Sequence, residues 1–247
     1  MGNCSLKISK EHHISAGILK KLSKKNTAKI AGSKSIPLNI NRFQIFGIGS
    51  LASKILCLSH NSELSELDEE AIRLFENIDI FDKDRVGGLK VNINGGKIER
   101  WILKLAFGAI ASGACNSKLK MQPHCLDILF DKGRLPKGQG LYVQSNTLHT
   151  TNFDFQLKHN PKTMEVLLIE VNMGFLRLNL VLGNPNTPTS FGIFRPHPII
   201  LNNPKIPNSF LGIHWDNQTT STFIEFKRVG SHQGNIPTHW PSWSHDR

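Results

Sequence analysis

The sequence predicts an α+β fold, and three observations carry that expectation. Helical periodicity is confined to a few segments, of which "SELDEEAIRLFENI" and "GGKIERWILKLAFGAIASG" are the clearest. After residue 136 the chain turns to short alternating strand patterns separated by Pro, Gly and Asn. The 247 residues and a 39% hydrophobic composition allow a sizeable core. The expected organisation is a basic, then acidic, N-terminal module over 1–80, a helical connecting segment over 81–135, and an antiparallel β-rich domain over 136–247.

From the start of the chain, "AGILKKLSK" places Ile18, Leu19 and Leu22 at helical spacing, and "AKIAG" and "RFQIFGIG" read as short strands. In "SELDEEAIRLFENI", Ser65 is placed to cap the first free amides, and Asp68 and Glu69 suit the positive end of a helix. Leu67, Ile72, Phe75 and Ile78 form its expected buried side, while its acids read as a solvated face. In the next helix, Ile98, Trp101, Ile102, Leu105, Ala106 and Ile110 make an i, i+3, i+4, i+7 stripe, with Gly113 as its end. Trp101 is therefore expected to pack rather than to stack on a ligand.

"GLYVQ", "NFDFQLKH", "MEVLLIEV" and "FLRLNLVLG" read as successive strands, with "NMG" as a tight turn between the last two. "IHWD" and "STFIEFKRV" continue the pattern. "GNPNTP" and "HPIILNNPKIPN" read as loops. A sandwich or partly closed barrel is the expected form.

Charge is unevenly distributed. Residues 1–60 hold ten Lys or Arg against one acid, whereas residues 61–80 hold seven acids and one Arg. A basic segment of this kind is the footprint of a polyanionic partner, so nucleic acid is the expected partner, DNA ahead of RNA. No run of 18 apolar residues is present, and no membrane partner is expected. Four cysteines at irregular spacing do not suggest a disulfide scaffold, and a reducing cytoplasm is the expected location.

Two short stretches hold the candidate chemistry. Cys57 and His60 have C-x-x-H spacing, which can grip one zinc, and Cys4 is a third soft ligand. Glu11 and His12 pair a carboxylate with an imidazole, one suited to a hard cation and the other to taking a proton from water. On a regular strand these neighbours point opposite ways, so both serve one centre only where the strand bends or ends. The pair Cys115 and Cys125 with His124, and the terminal "HWPSWSHDR" with His239 and His245, were weighed and set aside.

The order Cys4, "SKEHHIS", "SKILCLSHN" and then an acid-led helix resembles the zinc-knuckle subgroup of the HNH endonuclease family, over about residues 1–75. The resemblance implies a ββα-metal fold that hydrolyses phosphodiester bonds. It implies His12 as general base, Glu11 and Asn61 as ligands of a catalytic magnesium or manganese, and Cys4, Cys57 and His60 as ligands of a structural zinc. Lys10, Lys20, Lys21, Lys24, Lys25 and Lys54 are the expected backbone contacts to nucleic acid. A bacterial defence or mobile-element role accompanies the resemblance, as does a homodimer or partner protein engaged through the β-rich domain. Three features depart from the family: its leading knuckle cysteine falls at Met1, its second is His60, and its middle Asn has no match near Ser50 to Ser53. They keep open the alternative of an inactive HNH-fold module that binds nucleic acid and is stabilised by zinc.

Overall fold

The computed structural model describes residues 7–12, 14–22, 27–31, 43–47, 52–82, 90–115, 118–145, 153–174, 176–184, 188–202, 210–215 and 224–227. It is mixed α+β. The N-terminal part opens with β1 (Ile8–His12), α1 (Ala16–Leu22), β2 (Thr27–Ala31), β3 (Phe43–Gly47) and β4 (Ala52–Cys57). β1 pairs antiparallel with β4, and β2 with β3. Two helices follow, α2 (Leu58–Glu63) and α3 (Ser65–Asp82), with Leu64 buried between them.

The middle of the chain supplies β5 (Lys90–Asn94), α4 (Gly95–Ala111) and α5 (His124–Leu129). α4 forms because its apolar stripe repeats at helical spacing and because Asn94 caps it, its Oδ1 accepting from the Lys97 amide at 3.0 Å. Gly113 adopts φ 75° beyond its end, as a helix C-terminus favours. α4 is the central element: Ile98, Trp101, Ile102, Leu105, Ala106 and Ala109 are fully buried in one cluster that runs from Ile14 to Ile213. That cluster crosses both expected boundaries, near 80 and near 135.

The remaining strands are β6 (Gly140–Ser145), β7 (Phe153–His159), β8 (Val166–Met173), β9 (Leu176–Val181), β10 (Ile193–Phe194), β11 (Ile199–Asn202), β12 (Phe210–His214) and β13 (Ile224–Lys227). A five-stranded sheet in the order β10-β6-β9-β8-β7 is antiparallel throughout, as expected. Its β8–β9 hairpin turns at Gly174, which has φ 56°.

The second sheet corrects the antiparallel expectation. In the order β13-β11-β12-β5, the outer pairs β11–β13 and β12–β5 are parallel. β5 lies in the segment expected to be helical, and β11 lies in "HPIILNNPKIPN", expected to be a loop. Parallel pairing needs a long crossover, so β5 has no partner near it in sequence to announce it; β11 does pair antiparallel with the next strand, β12, but its Pro- and Asn-rich surroundings read as loop.

The acids of α3 also depart from expectation. Glu66 meets Lys97 at 2.8 Å, Asp68 meets Lys104, and the Asn94 amide donates to Glu70 Oε1. These side chains dock α3 onto α4 rather than simply facing solvent. Ser65 does not cap α3 either: its hydroxyl donates to the Ser62 carbonyl at 2.8 Å, because α2 runs almost directly into α3. No helix among the described residues is long and apolar enough to cross a membrane.

Gly95 begins α4 directly beneath Trp215, and a methyl group there would overlap the indole ring. Gly95→Ala is expected to destabilise by about 1–3 kcal/mol. Gly96→Ala would meet only Asn94 Oδ1 at 3.3 Å and is expected to be neutral or to gain up to ~1 kcal/mol. Urea denaturation of the two variants checks the contrast.

Candidate functional site

The β1–β4 ribbon and α2 make a strand–strand–helix unit, with α2 against both strands. Ile8 pairs with Cys57, Ser9 with Leu56, Glu11 with Ser53 and His12 with Ala52. The Leu58 amide extends the ladder into the helix start by donating to the Lys7 carbonyl at 3.0 Å. The register shifts between Ser9 and Glu11: Lys10 alone on β1 spans the interval held by Lys54 and Ile55 on β4. A bulge of this kind twists the ribbon and re-aims the side chains beside it. The ladder thus becomes irregular beside Glu11, with the extra residue on β4, and β1 ends at His12.

Cys57 closes β4 and stands at the N-cap of α2, and His60 follows one turn later. Cys57 Sγ lies 3.3 Å from His60 Nδ1. Sulfur and nitrogen ligands of one tetrahedral zinc, at bond lengths of about 2.3 and 2.0 Å, lie about 3.5 Å apart, so the two donors are close to a ligating separation. The His60 ring also packs against Phe130 at 5.0 Å between centroids. His12 pairs four residues along β1 from Ile8, roughly 10–13 Å down the ribbon from the Cys57 end. The ribbon therefore holds the Cys57–His60 pair and His12 at separate ends. Asn61 is half-buried in α2, one residue past His60. Among the described residues no group of three His, Cys, Asp or Glu is gathered closely enough to hold a metal.

Cys4, Lys24 and Lys25 lie outside the described residues, as do the side chains of Lys10 and Glu11. Lys20 and Lys54 are exposed, and Lys21 pairs with Glu76 at 3.0 Å. Burial pushes the Cys115 and Cys125 thiols up to about 11, which keeps both protonated near neutral pH.

Three buried polar groupings escaped sequence reasoning. In the first, the Ser15 hydroxyl donates to Asp68 Oδ1 at 2.6 Å and accepts from Trp101 Nε1 at 2.9 Å, while Lys104 Nζ pairs with Asp68 Oδ2. In the second, Glu99 Oε1 accepts from the Leu141 amide at 2.8 Å and from Arg195 Nε at 3.0 Å, which pins β6 to α4. Burial holds the Glu99 carboxyl above its ordinary range, with Arg195 acting against that shift.

The third lies across β7, β8 and β9, where Asp154, Lys158, Glu170, Asn172 and Arg177 share one face. Lys158 Nζ donates to Glu170 Oε2 at 2.8 Å, Asn172 Nδ2 to Asp154 Oδ1 at 2.7 Å, and Arg177 Nε to Asn172 Oδ1 at 3.1 Å. Two acids and two bases satisfy one another through the amide. The alternation is visible in sequence, but the burial of its polar members is not: Glu170 is only 5% exposed.

Comparison with protein-family models, with curated proteins and with solved structures finds no match.

Burial raises the Asp154 carboxyl above its ordinary 3.8, the Asn172 hydrogen bond opposes this, and the nearby Glu170 charge adds to it. The folded state therefore holds that proton more tightly than the unfolded chain. The resulting stability is present below the ordinary value and is lost as pH rises through the raised one. Asp154→Asn keeps an acceptor for Asn172 and cannot ionise. Denaturation between pH 3.5 and 7 is expected to show wild type falling behind Asp154→Asn as pH rises; parallel curves would contradict the assignment.

Proposed function

We propose that the chain is a metal-dependent endonuclease of the HNH type, hydrolysing phosphodiester bonds in nucleic acid, DNA before RNA, in a reducing cytoplasm. The observation that carries this reading is the strand–strand–helix unit itself. β1 ends at His12 and pairs with β4 through an irregular register beside Glu11, and β4 runs into α2 bearing His60 and Asn61.

His12 is the general base. Its imidazole accepts a proton from water as the water oxygen bonds to phosphorus, and the bond from phosphorus to the leaving oxygen breaks. Glu11 and Asn61 offer the hard oxygen donors that magnesium or manganese prefers. That ion, when bound, stabilises negative charge on the phosphate and the leaving oxygen. Cys57 and His60 form half of a structural zinc clasp, supported by their 3.3 Å separation. Cys4 precedes Lys7 by three residues, a span of at most ~10 Å, so it is within chain reach of Cys57, beside which Lys7 and Ile8 lie. The exposed Lys20 and Lys54 offer phosphate contacts.

One observation favours an inactive, zinc-stabilised nucleic-acid-binding module instead. Ser53 stands opposite Glu11, in the region where the family carries its middle Asn.

Supercoiled plasmid and single-stranded DNA, incubated with the purified chain in magnesium or manganese, separate the two readings. Wild type is expected to cut, and His12→Ala to lose about 10²–10⁴-fold in rate. Equal cutting by both proteins overturns the role of His12. Absence of cutting, together with DNA affinity that falls steeply with salt, favours the binding module. Metal analysis is expected to find about one zinc per chain, lost in Cys57→Ala and in His60→Ala.

A further inference from the structure

Ser15 stands immediately before α1, and its carbonyl accepts the first bond of that helix, from the Leu19 amide at 3.1 Å. A serine in this position ordinarily turns its hydroxyl onto the free amides of its own helix, a contact worth ~1 kcal/mol. Here the hydroxyl reaches outward, donating to Asp68 on α3 and accepting from the Trp101 indole on α4. Asp68 is fixed in turn by Lys104, whose side chain is 5% exposed. Ser15 and Ile14 are each only 1% exposed. Between Ile14 and His12, the last paired residue of β1, only residue 13 intervenes. The chain on one side of His12 is therefore held by the ladder to β4, and on the other by this buried junction.

We propose that Ser15 is a positioning residue for His12: the Asp68–Ser15–Trp101 junction sets where the imidazole stands and so couples α3 and α4 to the reactive end of the ribbon. The proposal rests on the nuclease reading for its catalytic consequence, though not for the coupling itself. A general base acts only within hydrogen-bond reach of its proton, and a misplacement of about 1 Å can cost about 10²-fold in rate.

The test uses the full chain and two readouts, plasmid cleavage and the ¹H–¹³C signals of the His12 ring, assigned by their loss in His12→Ala. Ser15→Ala is expected to lower kcat about 10–100-fold with KM for DNA within about twofold, and to shift the His12 signals. Ser15→Thr, which keeps the hydroxyl, is expected to restore both. Trp101→Phe removes the indole N–H from the junction, together with part of a buried ring, and is expected to move the His12 signals in the same sense; it carries the test if Ser15→Ala does not fold. Wild-type kcat with unmoved His12 signals in Ser15→Ala, or in Trp101→Phe where Ser15→Ala is unfolded, overturns the proposal. If wild type cuts nothing while Ser15→Ala still shifts the His12 ring, the nuclease reading fails and the coupling stands.

Discussion

Asp68 is the point on which the packing of the N-terminal module depends. It occupies the first turn of α3, where the helix dipole favours a negative charge, and it joins the Ser15 hydroxyl to the Lys104 ammonium. Withdrawing an ammonium from water costs several kcal/mol, so Lys104 is tolerable in the core only with an anion in good geometry beside it. Removing one partner of such a pair typically costs about 3–5 kcal/mol, because the other charge stays buried. A well-packed apolar pair could be as stable. What the ionic arrangement adds is direction: α3 sits on α4 in the register that brings Asp68 to Lys104, and the chain leaving β1 is held where Ser15 meets both Asp68 and Trp101.

Local patterns made α3, α4 and the strands of the antiparallel sheet legible. In α3, Leu67, Phe75 and Ile78 are buried as periodicity implies, with Ala71 beside them, whereas Ile72 is only half-buried and Leu74, outside the expected stripe, is fully buried. Trp101 packs as its place in the α4 stripe implies, fully buried and edge-on to Phe153. β5 and β11 were not legible, for a different reason in each case. The alternation of "KVNIN" spans five residues next to a much stronger helical signal, and its partner β12 lies more than a hundred residues away. "IILN" is bounded by Pro and Asn that read as loop, and its partners β12 and β13 bracket it only in three dimensions. A sequence window reports what a segment can bury; it does not report which distant edge accepts it.

The same limit applies to the site. Cys57 and His60 are three residues apart, so their proximity follows from one turn of chain, and spacing sufficed to pair them. The placement of His12 relative to them depends on the β1–β4 register, which the 39 residues between the strands leave undetermined in sequence. The bulge at Lys10 is a property of two strands together and has no signature in "SKEHH" alone. The polar face of β7, β8 and β9 was visible as alternation, but its closure into one hydrogen-bonded network requires Asp154, Asn172 and Arg177 to fall on one rung. Because Lys158, Glu170, Asn172, Asp154 and Arg177 bind one another, that face reads as a structural element rather than as an empty recognition surface.

The pairing of the acids also changes what the charge distribution means. In sequence, the acids over 61–80 follow directly on the basic segment and read as a solvated face. In the fold, Glu66 is engaged with Lys97, Asp68 with Lys104 and Glu70 with Arg73, none of which belongs to residues 1–60, while Glu76 reaches back to Lys21. Charges opposed at about 3 Å have little field left at a distance, particularly across a Debye length of about 8 Å at physiological salt. Three of the seven acids over 61–80 are thus engaged on α3 itself and along α4, while the side chains of Lys20 and Lys54 are exposed. Asp68 and Glu66 are turned to the helix that carries the core, so they act on α4 rather than on the basic segment that precedes them.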